Sequence, residues 1–136
     1  MLGLTALRRF LLLCLGSSLV ADGAIAAAGG PLSSLEPGLW SVSRSANGSG
    51  AAKLCVKDFL ALGQWEHRGR SCSRSIISQN AREIVVSYTC PGGEFGQARL
   101  TALTPRSLKI ETQGIRAGEP FHYALFARKS GACAHH

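Results

Sequence analysis

The fold is decided by residues 72–90, which read Cys-Ser-Arg-Ser-Ile-Ile-Ser-Gln-Asn-Ala-Arg-Glu-Ile-Val-Val-Ser-Tyr-Thr-Cys. Two candidate strands, 72–79 and 83–90, flank a short turn at 80–82, and the second is rich in β-branched residues. Side chains alternate between the two faces of a strand, so the second run has an apolar face. Its members are Ile84, Val86, Tyr88 and Cys90. The stretch therefore predicts an antiparallel hairpin with one face in a core.

The same hairpin predicts a disulfide bond. If Gln79 pairs with Glu83 across the turn, Cys72 faces Cys90, and directly opposite residues bring their Cβ atoms to roughly 4.5–5.5 Å. Of the five cysteines, Cys14 lies in the N-terminal apolar run, and the four that follow the predicted signal peptide allow three connectivities. The register favours the one that leaves Cys55 to pair with Cys133. An even number of cysteines in the mature chain, without a C-x-x-C motif, indicates structural disulfides in an oxidising compartment rather than a zinc site.

Alternation and turn residues continue outward from this hairpin. Further strands are predicted at 39–46, 51–57, 95–103, 107–113 and 120–129, separated by turns rich in Gly, Pro and Asn. The last strand is apolar on both faces, which predicts a central or covered position. We expect an all-β, mainly antiparallel fold: a curved meander sheet or a small open barrel with one short helix and two disulfides. A β-sandwich is the alternative.

The short helix is predicted between the second and third strands. Asp58 is a good N-cap, and apolar residues up to Trp65 give the helix one buried face. After it, Glu66 and His67 are expected in a polar surface loop.

The N-terminus has the layout of a secretory signal peptide. Arg8 and Arg9 precede an apolar run over 10–20, and small residues follow as far as Ala28. The run is much shorter than the roughly 20 residues that span a membrane. We therefore expect a signal peptide over 1–28, a flexible lead-in over 29–34, one domain over 35–133 and a disordered tail over 134–136.

Composition excludes several classes of protein. With 136 residues, 46% hydrophobic and 17% charged, the chain suits one folded domain and is not typical of a disordered one. The formal net charge is +7, and Arg68, Arg70 and Arg74 form a basic cluster that is a candidate for contact with an anionic surface, the alternative being a solvated basic surface. Since export is expected, we predict no nucleic-acid partner.

No catalytic, cofactor-binding or metal-ligating residues are predicted. The sequence has no G-x-S-x-G elbow and no H-E-x-x-H motif, and Asp58 is the single aspartate after the predicted signal peptide. His122 alternates along the last strand, which is typical of a packed or solvated histidine. A hydrolase whose residues converge only in the fold stays as an alternative.

Aromatic residues offer one candidate ligand site. A curved sheet can hold an apolar ligand at its mouth, or the same rings can fill its core. The candidates for ligand-facing positions are Trp40, Tyr88, Phe121 and Tyr123.

Four segments together resemble a known family. They are Leu-Glu-Pro-Gly-Leu-Trp at 35–40, Cys-Val-Lys-Asp-Phe at 55–59, Tyr-Thr-Cys-Pro-Gly-Gly at 88–93 and Ala-Arg-Lys-Ser-Gly-Ala-Cys at 127–133. Over about 35–133 the chain resembles the bacterial exported family called Domain of Unknown Function 3617. The family often starts its helix with Thr/Ser-Pro-Glu/Asp, and this chain lacks that proline. The resemblance implies a small periplasmic protein of a Gram-negative envelope, with no assigned activity.

These observations predict a non-enzymatic, monomeric binding module for a small apolar ligand or an envelope component. The alternative is a structural or stress-related envelope protein that acts through protein contacts or anionic surfaces.

Overall fold

The computed structural model describes residues 29–134; the predicted signal peptide and the last two histidines lie outside the described residues. Two 3-10 helices and seven strands follow one another along the chain. They are helix 1 (Pro31–Ser34), β1 (Gly38–Ser43), β2 (Ala52–Val56), helix 2 (Phe59–His67), β3 (Ser73–Gln79), β4 (Glu83–Thr89), β5 (Phe95–Thr104), β6 (Ser107–Arg116) and β7 (Glu119–Gly131). All seven predicted strands are confirmed.

The strands form one open antiparallel sheet in the order β2-β1-β7-β6-β5-β4-β3. Strands β3 to β7 are a meander, and the β1–β2 hairpin joins it through β1 beside β7. The all-β antiparallel prediction is confirmed, and the β-sandwich alternative is wrong because the described strands make a single sheet. β7 lies between β1 and β6, as its apolar character on both faces predicts.

This topology dictates where helix 2 lies. β2 and β3 are the opposite edges of the sheet, so the segment between them has to cross the sheet. Helix 2 crosses one face and packs on β4, β5 and β6. Asp58 caps it as predicted, accepting a hydrogen bond from the Leu60 N–H at 3.0 Å.

The crossing gives the sheet a covered face, which carries helix 2, and an open face. The core lies on the covered face, where Trp40 is 0% exposed and meets the Phe59 ring edge-on at 5.0 Å between centroids. Its other large members alternate along the strands: Val42, Val86, Leu100, Leu108, Ile110 and Leu125. The strands that contribute to the core are therefore buried on one face, which is why a hydrophobic pattern of period two predicts them.

The β3–β4 hairpin confirms most of the predicted register and corrects the rest. Ser73 pairs with Thr89 and Ile76 with Val86, as predicted, but Gln79 pairs with Ile84 rather than with Glu83. A register shift between Ile76 and Ser78 absorbs the difference, as a β-bulge does.

Both predicted disulfides are present. Cys72 and Cys90 have Cα atoms 4.1 Å apart, and those of Cys55 and Cys133 are 5.4 Å apart. Two disulfide bonds indicate an oxidising, extracytoplasmic compartment. No helix within residues 29–134 has the length and apolarity to cross a membrane.

The lead-in over 29–34 is more ordered than we expected. Pro31–Ser34 forms helix 1, in which Pro31 is buried, and Leu35 follows it into the core. Helix 1 packs on β4 and β5 because these two apolar residues cover that part of the sheet.

Candidate functional site

The three arginines predicted to contact an anionic surface line a single cleft. The cleft has a volume of about 370 Å³ and is bounded by β2, helix 2, the loop after helix 2 and the start of β3. Arg68 and Arg70 come from the loop, and Arg74 comes from β3. Lys57 adds a fourth positive charge at the end of β2.

Each arginine has a different neighbour. Arg70 donates to the Glu94 carboxylate at 2.8 Å and to the Pro91 carbonyl. Arg74 donates to Asp58 at 3.1 Å. The Arg68 guanidinium lies 3.9 Å above the centre of the Trp65 ring, a cation–π contact. Two guanidiniums are thus oriented by carboxylates, and the third is oriented by an aromatic ring.

The remaining walls of this cleft are apolar. Trp65 is half-buried on helix 2, and Leu54 on β2 and Leu62 on helix 2 stand beside it. A cleft with apolar walls and a cationic rim can hold a molecule with an apolar part and an anionic part. The three arginines could be predicted as a cluster because they are close in sequence. Leu54 and Lys57 could not, because only the fold brings β2 beside the arginines.

A buried polar cluster lies behind the cleft. His67 is 2% exposed, and its Nδ1 is 2.9 Å from the Tyr88 hydroxyl. Its Nε2 lies 2.7 Å from Glu94 Oε2, a close ionic approach without good hydrogen-bond geometry. Gln64 donates to the carbonyls of His67 and Arg70 at 2.9 and 2.8 Å.

The buried cluster corrects the surface loop predicted for Glu66 and His67. Helix 2 continues to His67, because Tyr88 on β4 and Glu94 in the turn after β4 lie beside the buried His67 ring. Burial raises the pKa of Tyr88 to about 12, since the ionised phenolate would lose its hydration there.

A second polar cluster lies at the rim of the covered face around Glu66. The Tyr123 hydroxyl donates to Glu66 at 2.5 Å, Arg116 donates to it at 3.0 Å, and Arg44 lies 3.6 Å away. The hydrogen bond from Tyr123 is the main reason that the pKa of Glu66 falls below its ordinary value of 4.5. Burial and the Glu66 carboxylate raise the pKa of Tyr123 above its ordinary value of 10.

The candidate ligand-facing aromatics differ in burial. Trp40 and Tyr88 are 0% and 1% exposed, so they belong to the core. Phe121 and Tyr123 are half-buried at the rim, with ring centroids 5.9 Å apart. Trp40 and Tyr88 lie in the core because helix 2 packs on them, and hydrophobic alternation alone does not specify that packing.

The two histidines of residues 29–134 lie in different surroundings. His67 has a carboxylate neighbour, but its other ring nitrogen meets Tyr88 rather than a serine. His122 is exposed on the open face. Within residues 29–134, no group of three or more His, Cys, Asp or Glu side chains is placed to hold a metal ion.

Comparison with known proteins adds no relative to this description. No family model, curated protein or solved structure matches the chain. The resemblance to Domain of Unknown Function 3617 therefore stays a prediction.

Proposed function

We propose that the protein is a non-enzymatic periplasmic binding module for an amphipathic anion of the envelope. The proposed ligand places its apolar part against Trp65 and its anionic head against the arginines. The observation that carries this proposal is the convergence of Arg68, Arg70 and Arg74 with Trp65 in one cleft of about 370 Å³.

The charges of the cleft support an anionic head. Asp58 is the single carboxylate among the lining residues, against three arginines and Lys57. A guanidinium has five N–H donors, so Arg70 and Arg74 keep donors for a ligand after bonding to their carboxylates. Arg68 lies over the Trp65 ring, and this contact restricts its side chain and so lowers the entropy lost when it binds an anion.

The location is part of the proposal. An oxidising compartment agrees with the two disulfides, and the predicted signal peptide and the family resemblance favour the periplasm. The anions expected there are phosphate groups of lipids and of other envelope components.

Titration with a short-chain phospholipid tests the proposal. The probe is dihexanoyl phosphatidylglycerol below its micelle concentration, with dihexanoyl phosphatidylcholine as the comparison of equal chain length. We expect calorimetry to show tighter binding of the anionic lipid. Arg68→Gln should weaken it by about tenfold or more, because a hydrogen bond to a charged group is worth ~1.5–3 kcal/mol.

Arg128→Gln is the matched control. Arg128 is exposed on the open face, and its substitution changes the net charge by the same amount. Equal binding of the two lipids, or an equal loss in the two variants, would contradict a specific anion site in the cleft.

The structural alternative has one observation in its favour. Every residue of the edge strand β3 is exposed, including Ile76 at 54% and Ile77 at 59%. An exposed, apolar edge is a template for pairing with another chain. A photo-crosslinking residue at position 77 should then trap a protein in the periplasm, while the same residue at the equally exposed Leu103 should not. Equal yields at the two positions would count against this alternative.

A further inference from the structure

The open face carries side chains in ordered cross-strand rows. The register of β4, β5, β6 and β7 aligns one row of polar residues: Ser87, Gln97, Gln113 and His122. The next row towards the β6–β7 turn begins with Thr89 on β4 and continues with apolar residues: Phe95, Ile115 and Pro120. We call these the amide row and the apolar row.

The apolar row presents an aromatic ring to solvent. Phe95 is 50% exposed and is the only aromatic residue among the large exposed hydrophobic residues of the described chain, 29–134. Pro120 is exposed and Ile115 is half-buried beside it. The arrangement leaves an accessible aromatic ring with apolar neighbours at one end of the open face.

The amide row provides hydrogen-bonding groups without fixed charge. Gln97, Gln113 and His122 are all exposed, so their donors and acceptors face solvent. A side-chain amide can donate and accept at the same time. Hydroxyl groups, which also donate and accept, are the partners that such a row matches best.

Two shallow depressions meet along the amide row. One has a volume of about 560 Å³ and contains Phe95 and Pro120. The other, of about 240 Å³, contains Arg99 and Glu111. Gln97, Gln113 and His122 line both depressions, so a chain-like ligand lying across the sheet would contact the row from either side.

From these positions we infer that the open face binds a neutral saccharide. The C–H face of a pyranose ring stacks on Phe95, because the negative face of an aromatic ring attracts polarised C–H groups. Its hydroxyl groups then bond to Gln97, Gln113 and His122 in the neighbouring row. The site is on the opposite side of the sheet from the cationic cleft and does not depend on the function proposed for that cleft.

Amide chemical shifts of the full domain test this inference. The probes are the β-1,4-linked tetramer of N-acetylglucosamine and maltotetraose, each added to millimolar concentration. We expect at least one of them to shift backbone amides of 95–97, 113–115 and 121–122. Phe95→Ala should weaken that binding by tenfold or more, and Phe95→Tyr should retain it, because the tyrosine keeps the ring face.

Leu103→Ala is the matched control on the same strand. Leu103 is 54% exposed, close to the value for Phe95, and lies near the far end of β5. Its substitution should leave saccharide binding unchanged. The inference is overturned if neither tetrasaccharide shifts the open face, if the shifts fall on helix 2 instead, or if Phe95→Ala binds as the parent does.

Discussion

The two faces of the sheet are built from the same strands but differ in chemistry. On the covered face, helix 2 seals Trp40 and Tyr88 from solvent and places His67 and Glu66 against tyrosines of the sheet. On the open face, polar and apolar side chains form cross-strand rows that neither helix of residues 29–134 covers. The difference comes from connectivity, because the segment from β2 to β3 crosses one face only. Which face becomes a core is thus a property of the topology.

Reduction of the disulfides should have the largest effect. The chain-entropy model gives about 4–5 kcal/mol for the Cys55–Cys133 loop, which spans a separation of 78 residues, and about 3 kcal/mol for the Cys72–Cys90 loop, which spans 18. Since domains are stable by about 5–15 kcal/mol, we expect full reduction to destabilise or unfold the protein. Circular dichroism melting with and without reductant measures this loss.

The two disulfides should be reduced in a definite order, because their cysteines differ in exposure. Cys90 is 3% exposed on the covered face, whereas Cys55 alternates with the buried Val56 and is exposed. Access limits thiol attack, so mild reductant should open Cys55–Cys133 first. Peptide mapping of trapped thiols identifies the order, and an unchanged melting temperature after full reduction would contradict the larger prediction.

Truncating a core ring should cost the next largest amount. Trp40→Ala is expected to lower the free energy of unfolding by ~3–5 kcal/mol, the usual range for a buried aromatic residue. Urea denaturation measures the change. Phe126→Ala is the comparison, because Phe126 is only half-buried and lies on the open face. A loss at Phe126 equal to that at Trp40 would show that the open face is covered in solution.

His67 on helix 2 and His122 on β7 are a matched pair of substitution sites. His67→Leu should lower the free energy of unfolding by ~1–3 kcal/mol, because it leaves the buried Tyr88 hydroxyl without its partner. His122→Leu on the open face should change it by less than ~0.5 kcal/mol. Chemical denaturation of both variants decides this, and equal values would be inconsistent with the buried cluster.

Alkaline titration tests the covered face without a substitution. The chain has two tyrosines, and the pKa of each is raised in the folded state: that of Tyr88 to about 12, and that of Tyr123 in the same direction. A raised pKa contributes stability that is complete below the unfolded value of 10 and is lost as the pH rises towards the folded value. Absorbance at 295 nm should therefore show no tyrosine ionising near pH 10 while the protein is folded. If either tyrosine ionised at pH 10 while the circular dichroism spectrum stayed that of the folded protein, that tyrosine would not be buried as described.

The strands with one buried face could be predicted because burial of alternate residues gives their sequences a hydrophobic period of two, whereas β3 is exposed along its whole length and was predicted as the partner of β4. Ile84, Val86 and Tyr88 are a local signal of this kind. The bulge after Ile76 leaves no comparable mark, so the register beside the turn was wrong by one residue. The disulfide prediction survived because the bulge restores the register before Cys72 is reached.

The candidate functional residues could likewise be predicted only where the signal is local in sequence. Arg68, Arg70 and Arg74 were apparent as a local cluster of charge. The burial of His67 was not, because its partners Tyr88 and Glu94 lie on β4 and in the following turn, and helix 2 had to cross the sheet to meet them. Contacts between residues far apart in sequence are set by topology, which no local pattern contains.

The place of β1 also sets an order of assembly. β1 pairs with β7, so Leu39 cannot pair with Gly131, at the far end of the domain, before Gly131 has been synthesised. In a chain made from its N-terminus, the β1–β2 hairpin is made before β7, the strand beside which β1 lies. Strands β3 to β7 can pair successively, and Cys72 and Cys90 lie at the two ends of one hairpin. The Cys55–Cys133 disulfide, in contrast, can form only after β7 has been made.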